Sequence, residues 1–409
     1  MIVPQLVKHR PENRRPCDQA RSGVKGRYPS LLLLLIVLIS QNKAMMADRW
    51  SSGNEECTPM SEQRKEPLPG RPGEPRPQAL SRRALMRVGV GAAAGVPLAV
   101  WLAACGLPAG KEGTTAPGMH SPRPDLAPIT IAITGDLMLA RSLTPQMQAA
   151  HDGFPFAHTG DYLRSFDLTV GNLECVVSTL GSPIPGKQFT FEAGPIGFER
   201  LQSAGFDVVS VANNHSGDYG QQAFMDMLYH LPAHGITPLG GGADLARAHT
   251  PVIRTVHSTT VGFLAYCQIE PSSFAATATT PGHAWLDPTL MRVDIAALRS
   301  KVDYIIVFTH WGIEYQTVQD ADQQAMAHIA IDAGADLVVG AHPHVRQPSE
   351  LYLGKPIIYS LGNFVFDEMP GHEESRGNVL ELTLQGSTLV DWKQRGALID
   401  ASGQPSWDE

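Results

Sequence analysis

The sequence predicts an α/β domain of layered architecture over residues 128–400, and three observations predict it. Short β-branched runs alternate with amphipathic stretches, the pattern of strands and helices stacked in layers. Groups able to bind a metal or move a proton recur just past the carboxyl ends of these runs, where open α/β sheets bind their ligands. The composition, 43% hydrophobic and 18% charged over 409 residues, excludes a disordered tail protein and a polytopic membrane protein and allows one or two globular domains.

A first run at 129–134 ends in Gly135-Asp136, and a second at 168–171 ends in Asn172-Leu173-Glu174. The third, 208–212, leads into Asn213-Asn214-His215, and the fourth, 304–309, into His310-Trp311-Gly312. Residues 337–340 precede Ala341-His342-Pro343-His344, and 357–361 run into Gly362-Asn363. Between these, 196–204, 221–230, 291–301 and 323–333 have the apolar spacing of helices. Residues 379–384 and 388–392 alternate as an antiparallel hairpin that closes one sheet. Gly240-Gly241-Gly242 reads as a turn after a short strand, because Ala243-Asp244 offers neither the Lys nor the Ser or Thr of a phosphate cradle. No Gly-x-Ser-x-Gly elbow is present, which disfavours a serine nucleophile. Cys17, Cys57, Cys105, Cys175 and Cys267 are too few and too irregular for a disulfide scaffold or a Cys-based zinc site. Cys175 and Cys267 each follow an apolar run and read as buried thiols.

The part of the chain before the domain differs in kind. Residues 1–104 carry 16 Lys and Arg against 8 Asp and Glu, whereas 105–409 carry 16 against 32. A domain that acidic repels phosphate backbones, so nucleic acid is not the expected partner. Residues 61–80 are crowded with Pro, Gly, Arg and Glu, show no apolar period and read as disordered. Ser81-Arg82-Arg83-Ala84-Leu85-Met86-Arg87, the uncharged stretch 88–104 and Cys105 follow the order of a secretory signal. The paired arginines resemble a twin-arginine export signal. Leu102-Ala103-Ala104-Cys105 resembles a bacterial lipobox, which would make Cys105 the lipid-attachment site. A single transmembrane anchor is the alternative, although 17 residues is at the short limit for a span. Gly89, Gly91 and Gly95 lack the spacing of a dinucleotide fingerprint. The nine apolar residues at 31–39 are too short to cross a bilayer, and with a second signal downstream they point to a start at Met45, Met46 or Met60. Residues 105–127, with several Pro and Gly, form the expected linker. The expected location is outside the cytoplasm, on the membrane surface through a lipid.

Asp136, Glu174, Asn214, His215, His310, His342 and His344 stand together at the run ends. Two carboxylates, an amide and four imidazoles suit manganese, iron or zinc. They could serve two ions if one carboxylate bridges, and such a pair activates water and clamps an ester or phosphoryl group. Taken singly, Gly-Asp is also a common turn, and Asn213-Asn214 could cap a helix. His342-Pro343-His344 is stronger, because a turn at Pro343 would point both imidazoles at one place.

These stretches, in order, resemble the CapA family of bacterial proteins associated with poly-gamma-glutamate capsule biosynthesis and related to calcineurin-like metallophosphatases. The resemblance covers residues 129–384 and rests on Gly135-Asp136-Leu137-Met138, Asn172-Leu173-Glu174, and Asn213-Asn214-His215 with Asp218 and Gly220. It continues through His310-Trp311-Gly312-Ile313-Glu314-Tyr315, Gly340-Ala341-His342-Pro343-His344-Val345 with Gln347, and Tyr359-Ser360-Leu361-Gly362-Asn363-Phe364. Residues 187–195 and Ser375-Arg376-Gly377 match further segments. The resemblance implies a four-layer α/β/β/α sandwich of the calcineurin-like metallophosphatase type. It implies that Asp136 binds one metal, Glu174 bridges, Asn214, His310 and His342 hold the second, and His344 returns to the first. His215 would be the general acid or a donor to developing negative charge. Met138 stands where metallophosphatase relatives have His, and a thioether is a poor ligand for hard ions, so the first metal position is short of a donor.

The expected activity is assistance in, or metal-dependent hydrolysis during, the synthesis of poly-gamma-glutamate or a related cell-surface polymer. Two alternatives belong to other classes: a non-catalytic, metal-braced scaffold of a membrane synthase complex, and a periplasmic metallophosphodiesterase. An acidic domain repels polyglutamate unless metal ions together with Lys187, Arg346 and Arg376 make the cleft positive. Trp311, Glu314 and Tyr315 read as residues of the pocket wall, with Glu314 able to pair with Arg376.

Overall fold

The structure, a computed structural model, describes residues 126–408 with the exception of 151, 368 and 370. The export signal, Cys105 and all but the end of the 105–127 linker lie outside the described residues. No helix among the described residues is long and apolar enough to cross a membrane.

The chain begins with β1 (Ile129–Leu137), α1 (Leu143–Ala149), α2 (Gly160–Leu163), β2 (Leu168–Leu173), β3 (Val176–Val177) and β4 (Glu192–Ala193). It continues with α3 (Ile196–Ala204), β5 (Val208–Ser210), α4 (Gly220–His230), β6 (Thr237–Leu239), β7 (Gly241–Gly242) and α5 (Leu245–Ala248). Next come β8 (Val252–Val256), β9 (Thr259–Cys267), β10 (Gly282–His283), α6 (Pro288–Arg299), β11 (Tyr304–His310), α7 (Ala321–Asp332) and β12 (Leu337–Ala341). The last strands are β13 (Ser349–Tyr352), β14 (Lys355–Ile358), β15 (Asn363–Val365), β16 (Arg376–Gln385), β17 (Thr388–Ile399) and β18 (Pro405–Trp407).

Two mixed sheets result. The first runs β18-β17-β16-β1-β2-β5-β6, with β15 also against β1, and the second runs β13-β14-β12-β11-β9-β8. Strands β1, β2, β5 and β6 are mutually parallel, as are β9, β11, β12 and β14. Alternation along β1 shows how the layers form. Ile129, Ile131 and Ile133 join Phe263, Ile306, Phe308 and Val339 in a core between the sheets. Ala132 and Leu137 face outward to Met147, Phe198, Leu201 and Phe224 of the helices. On the far side, Leu264, Ile305 and Val338 of the second sheet pack on Met291, Ile295 and Leu298 of α6 and on Ala327 and Ile331 of α7. The order helix, sheet, sheet, helix is the four-layer sandwich the resemblance implied, and strands buried on both faces explain the unbroken apolar runs.

Caps set the helix boundaries. The Asp287 side chain accepts from the N–H groups of Thr289 and Leu290, so α6 begins at Pro288, before the apolar period that marks it from 291. Asp320 and Gln323 form a reciprocal capping box that starts α7 two residues ahead of 323. The first run does not stop at 134: β1 continues to Leu137, pairing Asp136 with both Asn172 and Asn363. Gly135 permits this, since a Cβ there would lie 2.0 Å from the carbonyl oxygen of Gly362. The closing hairpin is longer than 379–392, and β18 carries the first sheet past residue 400.

Candidate metal centre

The parallel strands of both sheets bring their carboxyl ends to one place. Asp136 is the penultimate residue of β1 and Glu174 directly follows β2, its N–H donating to Leu137 O at 2.9 Å. Asn214 follows β5, and His310 ends β11. His342 and His344 lie just after β12 with φ of 96° and 58°, so both hold the left-handed backbone that non-glycine residues rarely adopt. That turn aims two imidazoles from one short loop into the site.

The donor atoms form three sets, each within 4.8 Å: Asp136 with Glu174 and His344, Glu174 with His310 and His342, and Glu314 with His342 and His344. His310 Nε2 lies 3.5 Å from Glu174 Oε1, His344 Nε2 3.7 Å from the same oxygen, and His344 Nδ1 3.5 Å from Asp136 Oδ2. Such separations are long for hydrogen bonds. Donors at about 2.1 Å from a common ion sit roughly 3 to 3.5 Å apart. His310 Nε2 also meets Asn214 Oδ1 at 2.7 Å, which brings the amide into the second set. The structure thus gathers Asp136, Glu174, Asn214, His310, His342 and His344.

The chemistry of these groups fits a cation. Glu174 is fully buried, yet neither of its oxygens has a hydrogen-bond partner, and His342 Nδ1 is likewise buried and unpartnered. Buried polar atoms without partners are rare in folded proteins. Burial raises the pKa of Asp136 and, with the Asp136 and Glu314 charges nearby, lifts Glu174 well above the usual carboxylate range. Burial also holds His310 and His342 well below the usual imidazole value, with neighbouring imidazoles adding to the effect. A divalent cation would reverse both costs, favouring carboxylate and neutral imidazole together.

Amides hold these side chains in place, and here the structure adds residues to which the sequence reading gave no role. Asn172 Nδ2 donates to Asp136 Oδ1 at 2.9 Å and lies 3.3 Å from His310 Nδ1. Asn213 donates to Asn172 Oδ1 at 3.2 Å and to Leu173 O at 2.8 Å. His344 Nδ1 donates to Asn363 Oδ1 at 2.9 Å, leaving Nε2 for Glu174 and any ion. All three amides belong to the quoted motifs, Asn172 two residues before Glu174 and Asn213 next to Asn214, but Asn363 stands next to none of the site residues.

His215 sits beside the cluster, near enough for its charge to act on His342 and His310. Its ring stacks on Phe191 at 4.1 Å, and Nδ1 donates to Asp218 Oδ2 at 2.7 Å, which fixes the tautomer with Nε2 free to accept or deliver a proton. Asp218 also accepts from Phe191 N at 2.7 Å and from Lys187. Burial lowers the His215 pKa, and the Asp218 contact opposes that shift.

The remaining expectations divide. Lys187 is tied to Asp218 and to Asn214 O, Arg346 to Glu373 at 3.5 Å, and Arg376 to Asp408 at 3.8 Å, so each of these cations faces a carboxylate of the chain. Arg376 does not pair with Glu314, which faces the histidines. Trp311 does not form the pocket wall: it is wholly buried in the outer core, with Nε1 donating to Tyr359 O at 3.0 Å. Met138 is buried, its sulfur accepting from Ala140 N at 3.2 Å. Cys175 and Cys267 are buried free thiols, pushed up to about 12 by burial.

Residues 130–368 match the model of the family described as bacterial capsule synthesis protein PGA_cap. The chain is 31% identical over 242 residues to the PGA biosynthesis protein CapA of Bacillus subtilis (strain 168), covering 59% of this chain and 64% of that protein. It is 30% identical over 247 residues to the capsule biosynthesis protein CapA of Bacillus anthracis, covering 59% of this chain and 60% of that one. The match thus spans less than two thirds of the length of either relative. Among solved structures, the 5′-nucleotidase precursor of Thermus thermophilus is similar at a TM-score of 0.40 and 15% identity, over 68% of this chain and 56% of that one.

Proposed function

Since the chain belongs to the bacterial capsule synthesis protein family PGA_cap, we propose that it is a divalent-cation-dependent hydrolase acting during synthesis of poly-gamma-glutamate or a related anionic surface polymer. The observation that carries this reading is Glu174, fully buried and without hydrogen-bond partners between His310, His342 and His344. Asp136, Glu174, Asn214, His310, His342 and His344 would hold the ion, manganese, iron or zinc by donor type. When bound, such an ion polarises a carbonyl or phosphoryl oxygen and makes water more acidic. The chain's own residues do the rest. Asn172 and Asn363 orient the imidazoles, burial excludes bulk water, and His215 Nε2 delivers a proton to the leaving group while Asp218 supports the charge on the ring. By this reading the domain works outside the cytoplasm, lipid-anchored through Cys105 beside a membrane synthase complex.

A second reading, a metal-braced scaffold without turnover, draws support from Met138 in place of a donor and from the pairing of Lys187, Arg346 and Arg376 with carboxylates. One experiment separates the two. Metal content and cleavage of oligo-gamma-glutamate and of a generic phosphodiester with Mn2+ are measured on the purified chain and two variants. A hydrolase loses ion and turnover in His310→Ala but only turnover in His215→Ala. A scaffold turns over neither substrate, and its His215→Ala variant keeps polymer binding. No stoichiometric metal in the wild type overturns both readings. Loss of membrane association in Cys105→Ser tests the anchor.

A further inference from the structure

We propose that Glu314 is an additional ligand of this centre, an exchangeable carboxylate that closes it from the solvent side. The inference rests on reading the cluster as a cation site and adds a residue to it. A carboxylate oxygen of Glu314 lies within 4.8 Å of ring nitrogens of His342 and His344. His342 belongs as well to the set with Glu174 and His310, and His344 to the set with Asp136 and Glu174. Glu314 is exposed while both imidazoles are buried. It therefore meets the centre on its open face, at the two residues through which the other sets are reached.

The loop after β11 is built to hold that carboxylate there. Tyr315, at φ 65°, donates its N–H at 2.8 Å to the carbonyl of Pro343, the residue between the two histidines. Gln347 Nε2 donates to Gln316 O at 2.8 Å, and Gln323 Nε2 of α7 donates to Gln347 Oε1 at 2.9 Å. Gly312 turns the chain at φ 82° against Gln323, whose side chain would lie 2.7 Å from a Cβ at that position. The loop is thus anchored to the histidine turn on one side and to a helix on the other.

The donor inventory supplies the chemical reason. The Met138 sulfur, a soft thioether, accepts from Ala140 N at 3.2 Å and is a poor donor to a hard ion, and the unpartnered His342 Nδ1 and Glu174 oxygens remain to be satisfied. A carboxylate oxygen is a hard donor suited to manganese. Because Glu314 is exposed, water or an anionic ligand's oxygen can replace it at less cost than it could replace buried Glu174.

Mn2+ binding to the purified full chain, followed by titration calorimetry at 0.05 M and 1 M NaCl, tests the assignment. Glu314→Gln is expected to weaken binding about tenfold at both salt concentrations, as loss of a group fixing a metal site does, with the metal-free melting temperature unchanged. Glu174→Gln is expected to abolish binding. A purely through-space effect is screened at 1 M, where the Debye length is about 3 Å. A loss seen only at 0.05 M, or no loss, overturns the ligand role of Glu314 while leaving the cation site standing. Failure of the wild-type chain to bind Mn2+ overturns the cation site itself, and this inference with it.

Discussion

Neither oxygen of Glu174 has the hydrogen-bond partner that a structural carboxylate would have. A buried carboxyl with unpartnered oxygens destabilises a fold, so Glu174→Gln should leave the metal-free protein at least as stable as the wild type. The same substitution should erase the gain on adding Mn2+, which for the wild type is about 2.7 kcal/mol at one hundred times Kd. Thermal denaturation with and without the ion reads both outcomes, and a lower metal-free melting temperature would mark Glu174 as structural. His283 raises a different residue-scale question. It is buried on β10 with both ring nitrogens unpartnered, and desolvation pushes its pKa down from 6.5 to about 4. The unfolded chain therefore binds a proton at a higher pH than the folded one. Its contribution is complete above about pH 6.5 and is lost as pH falls through about 4. The difference amounts to about 3 kcal/mol at 1.36 kcal/mol per pKa unit. His283→Leu should flatten the wild type's decline in urea-unfolding free energy between pH 6.5 and 4, and a variant with an unchanged slope would show that other groups cause the decline.

At the scale of elements, strand ends and helix caps carry different energies, and paired substitutions can separate them. Asp287→Ala removes the cap of α6, a cost of about 1 kcal/mol that should leave metal binding intact. Gly135→Ala places a methyl group 2.0 Å from Gly362 O, inside the contact where β15 meets β1. It should cost several-fold more and weaken metal binding as well, because Asp136 must move with the strand. Calorimetry and chemical denaturation of the two variants check the contrast. The same distinction explains what could be read in advance. Helix α3 was legible to the residue, because its apolar period ends at Gly205 in the left-handed conformation. The start of α6 was not, because Pro288 and Thr289 lie outside the apolar stripe and only the Asp287 cap reveals them. The side chains that the structure gathers, Asp136, Glu174, His310, His342 and His344, were legible from their recurrence at strand ends. Asn172, Asn213 and Asn363 received no role because an amide that positions a ligand has no spacing of its own; only the folded geometry gives it a partner. Trp311 was misplaced, and Glu314 was offered Arg376 as a partner in place of the histidines, for a related reason. Both follow a ligand histidine in one short motif, and sequence alone does not say which of them turns inward.

At the scale of the molecule, charge sets how a polyanion could approach. Residues 105–409 carry 16 basic against 32 acidic side chains. Lys187, Arg346 and Arg376, the cations expected to soften the cleft, each face a carboxylate of the same chain. The long-range field is therefore repulsive toward polyglutamate, and attraction is confined to the immediate surroundings of an ion. Repulsion at a distance responds to salt in the opposite sense to steering. The Debye length shrinks from about 30 Å at 0.01 M to about 8 Å at 0.15 M, so added NaCl removes the barrier to encounter while contacts at the ion persist. The association rate of Mn2+-loaded protein with poly-gamma-glutamate should rise across that range, whereas an electrostatically steered complex shows a falling rate. Stopped-flow fluorescence at several NaCl concentrations, with free Mn2+ held constant, measures it. A rate that falls with salt would mean that a positive surface outweighs the net charge, and the polymer would then be approaching some face of the domain other than this cleft.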